Sequence, residues 1–107
     1  MHISTRTAHK ELKDSGKLFK ELFKHGSMSL EIYKPVNSDL QKPHDRDEIY
    51  FIISGSGNFI NDGKRTQFQP GDFLFVPAGV DHGFENFSAD FSTWVIFYGP
   101  KGGEGES

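Results

Sequence analysis

From Met28 onward, the chain falls into short runs that either alternate apolar and polar residues or are continuously apolar and β-prone, which predicts strands. Met28, Leu30 and Ile32 alternate with Ser29, Glu31 and Tyr33. Ile49-Tyr50-Phe51-Ile52-Ile53 is a run of β-branched and aromatic residues closed by Ser54-Gly55-Ser56-Gly57. Asn58-Phe59-Ile60 reaches Asn61-Asp62-Gly63, and Lys64 to Phe68 follows. Asp-Gly between two such runs is a favoured two-residue hairpin turn. Pro70-Gly71-Asp72 leads into Phe73-Leu74-Phe75-Val76, which Pro77-Ala78-Gly79 stops. Phe84 and Phe87 are expected to flank a further short strand, and Thr93 to Tyr98 forms the last. Pro35 to Pro43 is polar and reads as a loop. Roughly seven to nine short strands with turns about every ten residues predict an all-β sandwich or small barrel.

The ends break this pattern. Met1 to Gly16 is polar, with Ile3 and Leu12 its only large aliphatics, so residues 1–17 are expected to form an N-terminal arm. Leu18 to Phe23 fits a strand or one short helix, and helix is expected to be negligible elsewhere. The barrel is assigned to residues 18–100. The Gly- and Glu-rich residues 101–107 are expected to be a mobile tail.

Composition narrows the class. At 107 residues the chain fits one domain, and its 11 Phe supply large buried area despite a hydrophobic share of only 35%. The formal net charge of −3 offers no basic footprint for nucleic acid or an anionic membrane. With no Cys, disulfides, thiolate metal sites and a Cys nucleophile are excluded. No apolar run approaches the roughly 20 residues of a membrane-spanning helix. Met1 to Arg6 lacks the apolar stretch of a secretory signal, so a cytoplasmic location is expected, and Asn86-Phe87-Ser88 is a chance glycosylation sequon.

Of the five His, His2, His9 and His25 lie in polar surroundings and read as surface residues. His44 stands four residues before Glu48, and in a strand those two side chains project to the same side. His82 follows the turn at Pro77-Ala78-Gly79 and shares a face with Phe84 and Asn86. Two His and one carboxylate on the inner face of a barrel make an open facial metal site suited to iron, manganese, zinc or nickel. The plain alternative is an exposed His44–Glu48 ion pair at a loop edge, with His82 a turn residue. Tyr50 shares parity with Glu48 and Phe84 with His82, so both are candidates for a pocket wall, as is Trp94; ordinary core packing is the alternative for each.

Gly71 to Asn86 resembles the second conserved motif of the cupin family: Gly, five residues, Pro-x-Gly, two residues, His, three residues, Asn. Gly71, Pro77, Gly79, His82 and Asn86 all fall in place. The first cupin motif is His-x-His, three or four residues, Glu, six residues, Gly. His44, Glu48 and Gly55 match it, but Lys42 occupies the first His position. The resemblance, over about Met28 to Tyr98, implies a single jelly-roll β-barrel. It also implies one divalent metal ion held by His44, Glu48 and His82, the remaining equivalents of the family's three His and one Glu.

Lys42 admits two readings: it turns to solvent, or it replaces the metal's charge and binds an anionic ligand. Asp45 or Asp47 could support His44 from behind, or belong to a solvated loop. Asn86 is expected to support its strand. By analogy the resemblance favours a metal-dependent, dioxygenase-like enzyme acting on a small organic molecule. A non-catalytic module that binds or senses a sugar or metabolite is the alternative. Homodimers are common among small cupins, and the apolar edge at Leu18 to Phe23 favours one here.

Overall fold

The computed structural model describes residues 1–39 and 41–105; residue 40 of the expected loop and residues 106 and 107 of the expected tail lie outside it. Eight strands follow one helix: α1 (Thr5–Ser15), β1 (Phe19–His25), β2 (Met28–Tyr33), β3 (Asp47–Ser54), β4 (Gly57–Asn61), β5 (Lys64–Phe68), β6 (Phe73–Val76), β7 (His82–Glu85) and β8 (Ser92–Tyr98). They form two antiparallel sheets, one ordered β1-β2-β8-β3-β6 and the other β5-β4-β7. The chain is mostly strand, as the sequence pattern predicts, and the fold is a jelly roll, as the family resemblance implies.

The facing sheets enclose an aromatic core. Tyr50, Ile52, Val76 and Val95 come from the five-stranded sheet, and Phe59, Phe68 and Phe84 from the three-stranded one, with Phe91 between them. Phe84 stands at the centre, its ring 4.7 Å from Phe91, 5.0 Å from Phe59 and from Tyr50, and 5.4 Å from Phe68. Such edge and tilted contacts add to plain area burial, which is how a chain with few aliphatics builds a core. The β4–β5 turn has positive φ at both Asp62 (53°) and Gly63 (79°), the primed geometry that suits twisted strands. Gly55 has φ 85°, and a Cβ there would lie 2.5 Å from the Phe91 Cα, so only glycine lets these two backbones approach.

Two expectations are corrected. The N-terminal segment contains an 11-residue α-helix where negligible helix was expected. Ser4 caps it by accepting from the Thr7 N–H, and Gly16 ends it with φ 70°. Ala8 and Leu12, one turn apart, are its buried residues and pack on Ile32 of β2, joined by Ile3, Leu22, Ile53 and Trp94. So narrow a stripe is weak as periodicity and suffices only because the outer face of the sheet completes it. The second correction is small: β7 contains Phe84, where a strand flanked by Phe84 and Phe87 was expected. Leu22 and Phe23, in the ambiguous segment, belong to strand β1.

The Gly-rich end makes specific contacts through residue 104: the Gly102 N–H donates to Asp45 O, and the Glu104 N–H to the Asp47 carboxylate. Among the described residues no helix is long and apolar enough to cross a membrane.

Candidate metal centre

The loop before β3 carries His44, the inner face of β3 carries Glu48 and Tyr50, and the first residue of β7 is His82. The chain brings the loop and the turn before β7 together directly, because the Gly79 N–H donates to the His44 carbonyl at 2.7 Å. Asp47 strengthens this junction. Its buried carboxylate accepts from the Ala78 N–H at 3.0 Å and from the Glu104 N–H at 2.9 Å, so it ties three segments together, and it neither supports His44 nor lies solvated in a loop.

One potential ligand atom from each of His44, Glu48 and His82 lies within 4.8 Å of the others. The side chains of His82 and Glu48 are 0% and 1% exposed. The Val80 carbonyl lies 3.0 Å from His82 Nδ1, and since a carbonyl only accepts, Nδ1 carries a proton. When the ring is neutral, it therefore presents a lone pair at Nε2, the tautomer that ligates a metal. That nitrogen is 3.0 Å from Glu48 Oε1, yet neither Glu48 oxygen has a hydrogen-bond partner of acceptable geometry among the described residues.

A lone pair facing a buried carboxylate is unfavourable unless a proton or a cation lies between them. The protonation of His82 reflects this. Burial alone lowers its pKa, but the Glu48 carboxylate, the Val80 carbonyl and the Asp39 charge outweigh burial and raise it above the usual value. Burial, and then the nearby Glu48 charge, push the Tyr50 hydroxyl well above its ordinary pKa, so it stays a neutral donor.

The other predicted residues separate. Tyr50 belongs to the site: its hydroxyl donates to Gln41 Oε1 at 3.2 Å and lies 3.1 Å from His82 Nε2. Phe84 lies in the core beneath. Trp94 points to the opposite face of the sheet and packs with the α1 cluster, because its neighbour Val95 takes the inward position. Lys42 is exposed and does not line the cavity over the site. Sequence reasoning missed Gln41, one residue earlier, which reaches both His44 and Tyr50. Only the path of the loop decides which of two adjacent side chains faces inward.

Above the site opens a cavity of about 730 Å³. Leu18, Phe19, Tyr33, Val36, Val95 and Phe97 give it apolar walls, and His44 and Glu48 reach into it. Lys17, Arg46, Asp45 and Glu31 add charge, with the Arg46 guanidinium 5.7 Å from the Phe97 ring centre.

The cupin domain family model matches residues 29–97, which include every residue of the cluster and both motifs. This chain is a cupin. An uncharacterized protein of Streptomyces coelicolor is 41% identical over 64 residues, 60% of this cupin and 61% of that protein. An acireductone dioxygenase of Rhodopseudomonas palustris is 49% identical over 45 residues, 38% of this cupin and 27% of the dioxygenase. The cupin thus spans about three fifths of the first relative's length and about a quarter of the second's. A solved protein structure from Neisseria meningitidis superposes with a TM-score of 0.69 at 20% identity, covering 92% of this cupin and all of that chain. At that identity the likeness concerns the fold alone.

Proposed function

We propose that this cupin holds one divalent metal ion through His44, Glu48 and His82 and acts as a metal-dependent enzyme on a small organic molecule, with dioxygen chemistry the favoured class. The observation that carries the reading is Glu48: a buried carboxylate, without hydrogen bonds, facing the lone pair of the Val80-fixed His82. A hard cation satisfies both groups at once, and the imidazole–carboxylate set suits iron, manganese, zinc or nickel. When bound, such an ion with open positions supplies Lewis-acid or dioxygen-activating chemistry. The similarity to a dioxygenase in the matched segment supports the choice of class.

The chain's own groups serve the same end. The apolar cavity walls exclude water and take the body of a small substrate. Lys17 and Arg46 provide cationic contacts along the wall. Protein purified without chelator is expected to carry about one divalent ion per chain and to consume oxygen with some member of a panel of small enediols, oxo-acids and polyols. Metal-free protein that binds a panel member tightly would overturn the proposal in favour of a binding module for a sugar or metabolite. Lys42 favours that second reading, since it leaves the site one His short.

A pH dependence follows from His82, with opposite signs in two states. Its raised pKa means that, without an ion, its contribution to stability is fully present below the unfolded value of about 6.5 and is lost as pH rises through the higher folded value. Chelator-treated protein should therefore melt later at pH 6 than at pH 8 from this group. Metal retention runs the other way, because protons compete for Nε2, and dialysis at stepped pH should show the ion leaving as pH falls. Melting curves with and without chelator, recorded across that range, check both signs.

The proposal also includes a homodimer. Phe19 on edge strand β1 is 51% exposed, and Phe51, Phe73 and Phe75 are exposed on the outer face of β3 and β6, away from α1. Exposed aromatic groups of this kind are usually covered by a partner. Light scattering at micromolar concentration should give the mass of two chains, and the mass of one chain would exclude the dimer.

A further inference from the structure

We infer that Gln41, through its amide oxygen, is a fourth ligand of the metal centre and stands in for the His that Lys42 displaces. The inference rests on the metal reading of His44, Glu48 and His82. Its basis is how the Gln41 amide is held. Gln41 Nε2 donates to Asp39 Oδ2 at 2.9 Å. An ionised carboxylate only accepts, so the amide NH₂ must face Asp39 and the oxygen must face the site. Asp39 is itself fixed: its Oδ2 also accepts from the Phe84 N–H at 2.8 Å, and its Oδ1 from the Tyr33 hydroxyl at 2.6 Å and the Gln41 N–H at 3.3 Å. The amide is thus oriented from behind by a carboxylate anchored to β7 and β2, as metal-binding groups commonly are.

The oxygen converges on the cluster. Gln41 Oε1 lies 3.2 Å from His44 Nε2 and 3.2 Å from the Tyr50 hydroxyl, which in turn is 3.1 Å from His82 Nε2. Two donors each about 2.1 Å from one ion and roughly at right angles are separated by about 3 Å, so this spacing is that of neighbouring ligands. Gln41 Oε1 only accepts, so without an ion it accepts from the Tyr50 hydroxyl and from a protonated His44 Nε2. With the His44 proton on Nδ1 instead, Nε2 and Oε1 offer their lone pairs to an ion, as His82 Nε2 and Glu48 do. One cation satisfies both pairs. Lys42, adjacent in sequence, is exposed, so its charge stays outside the cluster.

The test uses Co²⁺ as the probe, titrated into chelator-treated full-length protein and followed by calorimetry and by the visible absorption of the bound ion. Gln41→Ala is expected to weaken Co²⁺ binding by about 10- to 100-fold and to change the shape of the absorption band, which reports the number of ligands. Lys42→Ala should match wild type in both readouts, and circular dichroism melts will show whether each variant stays folded. Wild-type affinity together with a wild-type spectrum in Gln41→Ala would overturn the fourth ligand while leaving the three-residue site standing. No Co²⁺ binding by wild type would overturn both.

Discussion

His82→Ala protein will retain no stoichiometric divalent ion under conditions where wild type holds about one per chain. The Val80 carbonyl fixes the His82 tautomer, and the ring is fully buried beside Glu48, so its removal takes one of the cluster's two imidazole donors away. Loss of a residue that merely supports a ligand typically costs 10- to 100-fold in metal affinity, and loss of the ligand should cost at least about 100-fold. Glu48→Gln tests the charge separately. It keeps the shape but removes the anion from a site whose other donors are neutral, so affinity should again fall by at least about 100-fold. The fold should persist, because replacing an unpartnered buried carboxylate with an amide relieves a desolvation cost. Metal analysis after chelator-free purification, with calorimetric titration of the stripped proteins, decides the matter. Equal metal content in wild type, His82→Ala and Glu48→Gln would show that this cluster is not the site.

Phe84→Ala should have the largest effect on stability, lowering it by about 3 to 5 kcal/mol. The ring is 3% exposed and contacts Tyr50, Phe59, Phe68 and Phe91, which belong to both sheets and the segment between them. Truncation leaves a cavity that these rings, held by their strands, can fill only in part. With typical urea sensitivities of about 1 to 3 kcal/mol per molar, the unfolding midpoint should move by at least about 1 M. Phe84→Leu, which keeps most of the volume, should lose clearly less. This pair of variants also separates core from cavity wall. A midpoint within experimental error of wild type for Phe84→Ala would mean that the ring does not hold the two sheets together.

Much of this architecture is legible in the chain because the signals are local. Alternation marks β2, a run of β-branched and aromatic residues marks β3, the Asp62-Gly63 turn sets the β4–β5 hairpin, and Pro77-Ala78-Gly79 sets the break before His82. The motif spacing singles out His44, Glu48 and His82, which the fold brings within ligand distance of one another. Strand parity also places Tyr50 beside Glu48 correctly. For Phe84 and Trp94 the core-packing alternative holds instead of the pocket wall, in different ways. Phe84 does point inward, but too deep to line the cavity. Trp94 points outward, where α1 covers it.

The helix shows why the remainder needed three dimensions. Ser4, Gly16 and the Ala8–Leu12 pair are genuine helix signals, yet so small an apolar stripe becomes stable only when the outer face of the β2–β8 sheet buries it. Gln41 is the sharper case. Nothing in Gln41-Lys42-Pro43-His44 distinguishes the inward residue from the outward one, because a loop has no fixed period to assign faces. Asp39 decides it by holding the Gln41 amide from one side, and the Gly79 bond to His44 sets the loop from the other. The sequence by itself determined the succession of short strands, the resemblance to the family and the three side chains of the candidate cluster, all carried by residue type and spacing. The tertiary structure alone decided which loop residue faces that cluster and what covers the sheet, since both depend on contacts between segments far apart in the chain.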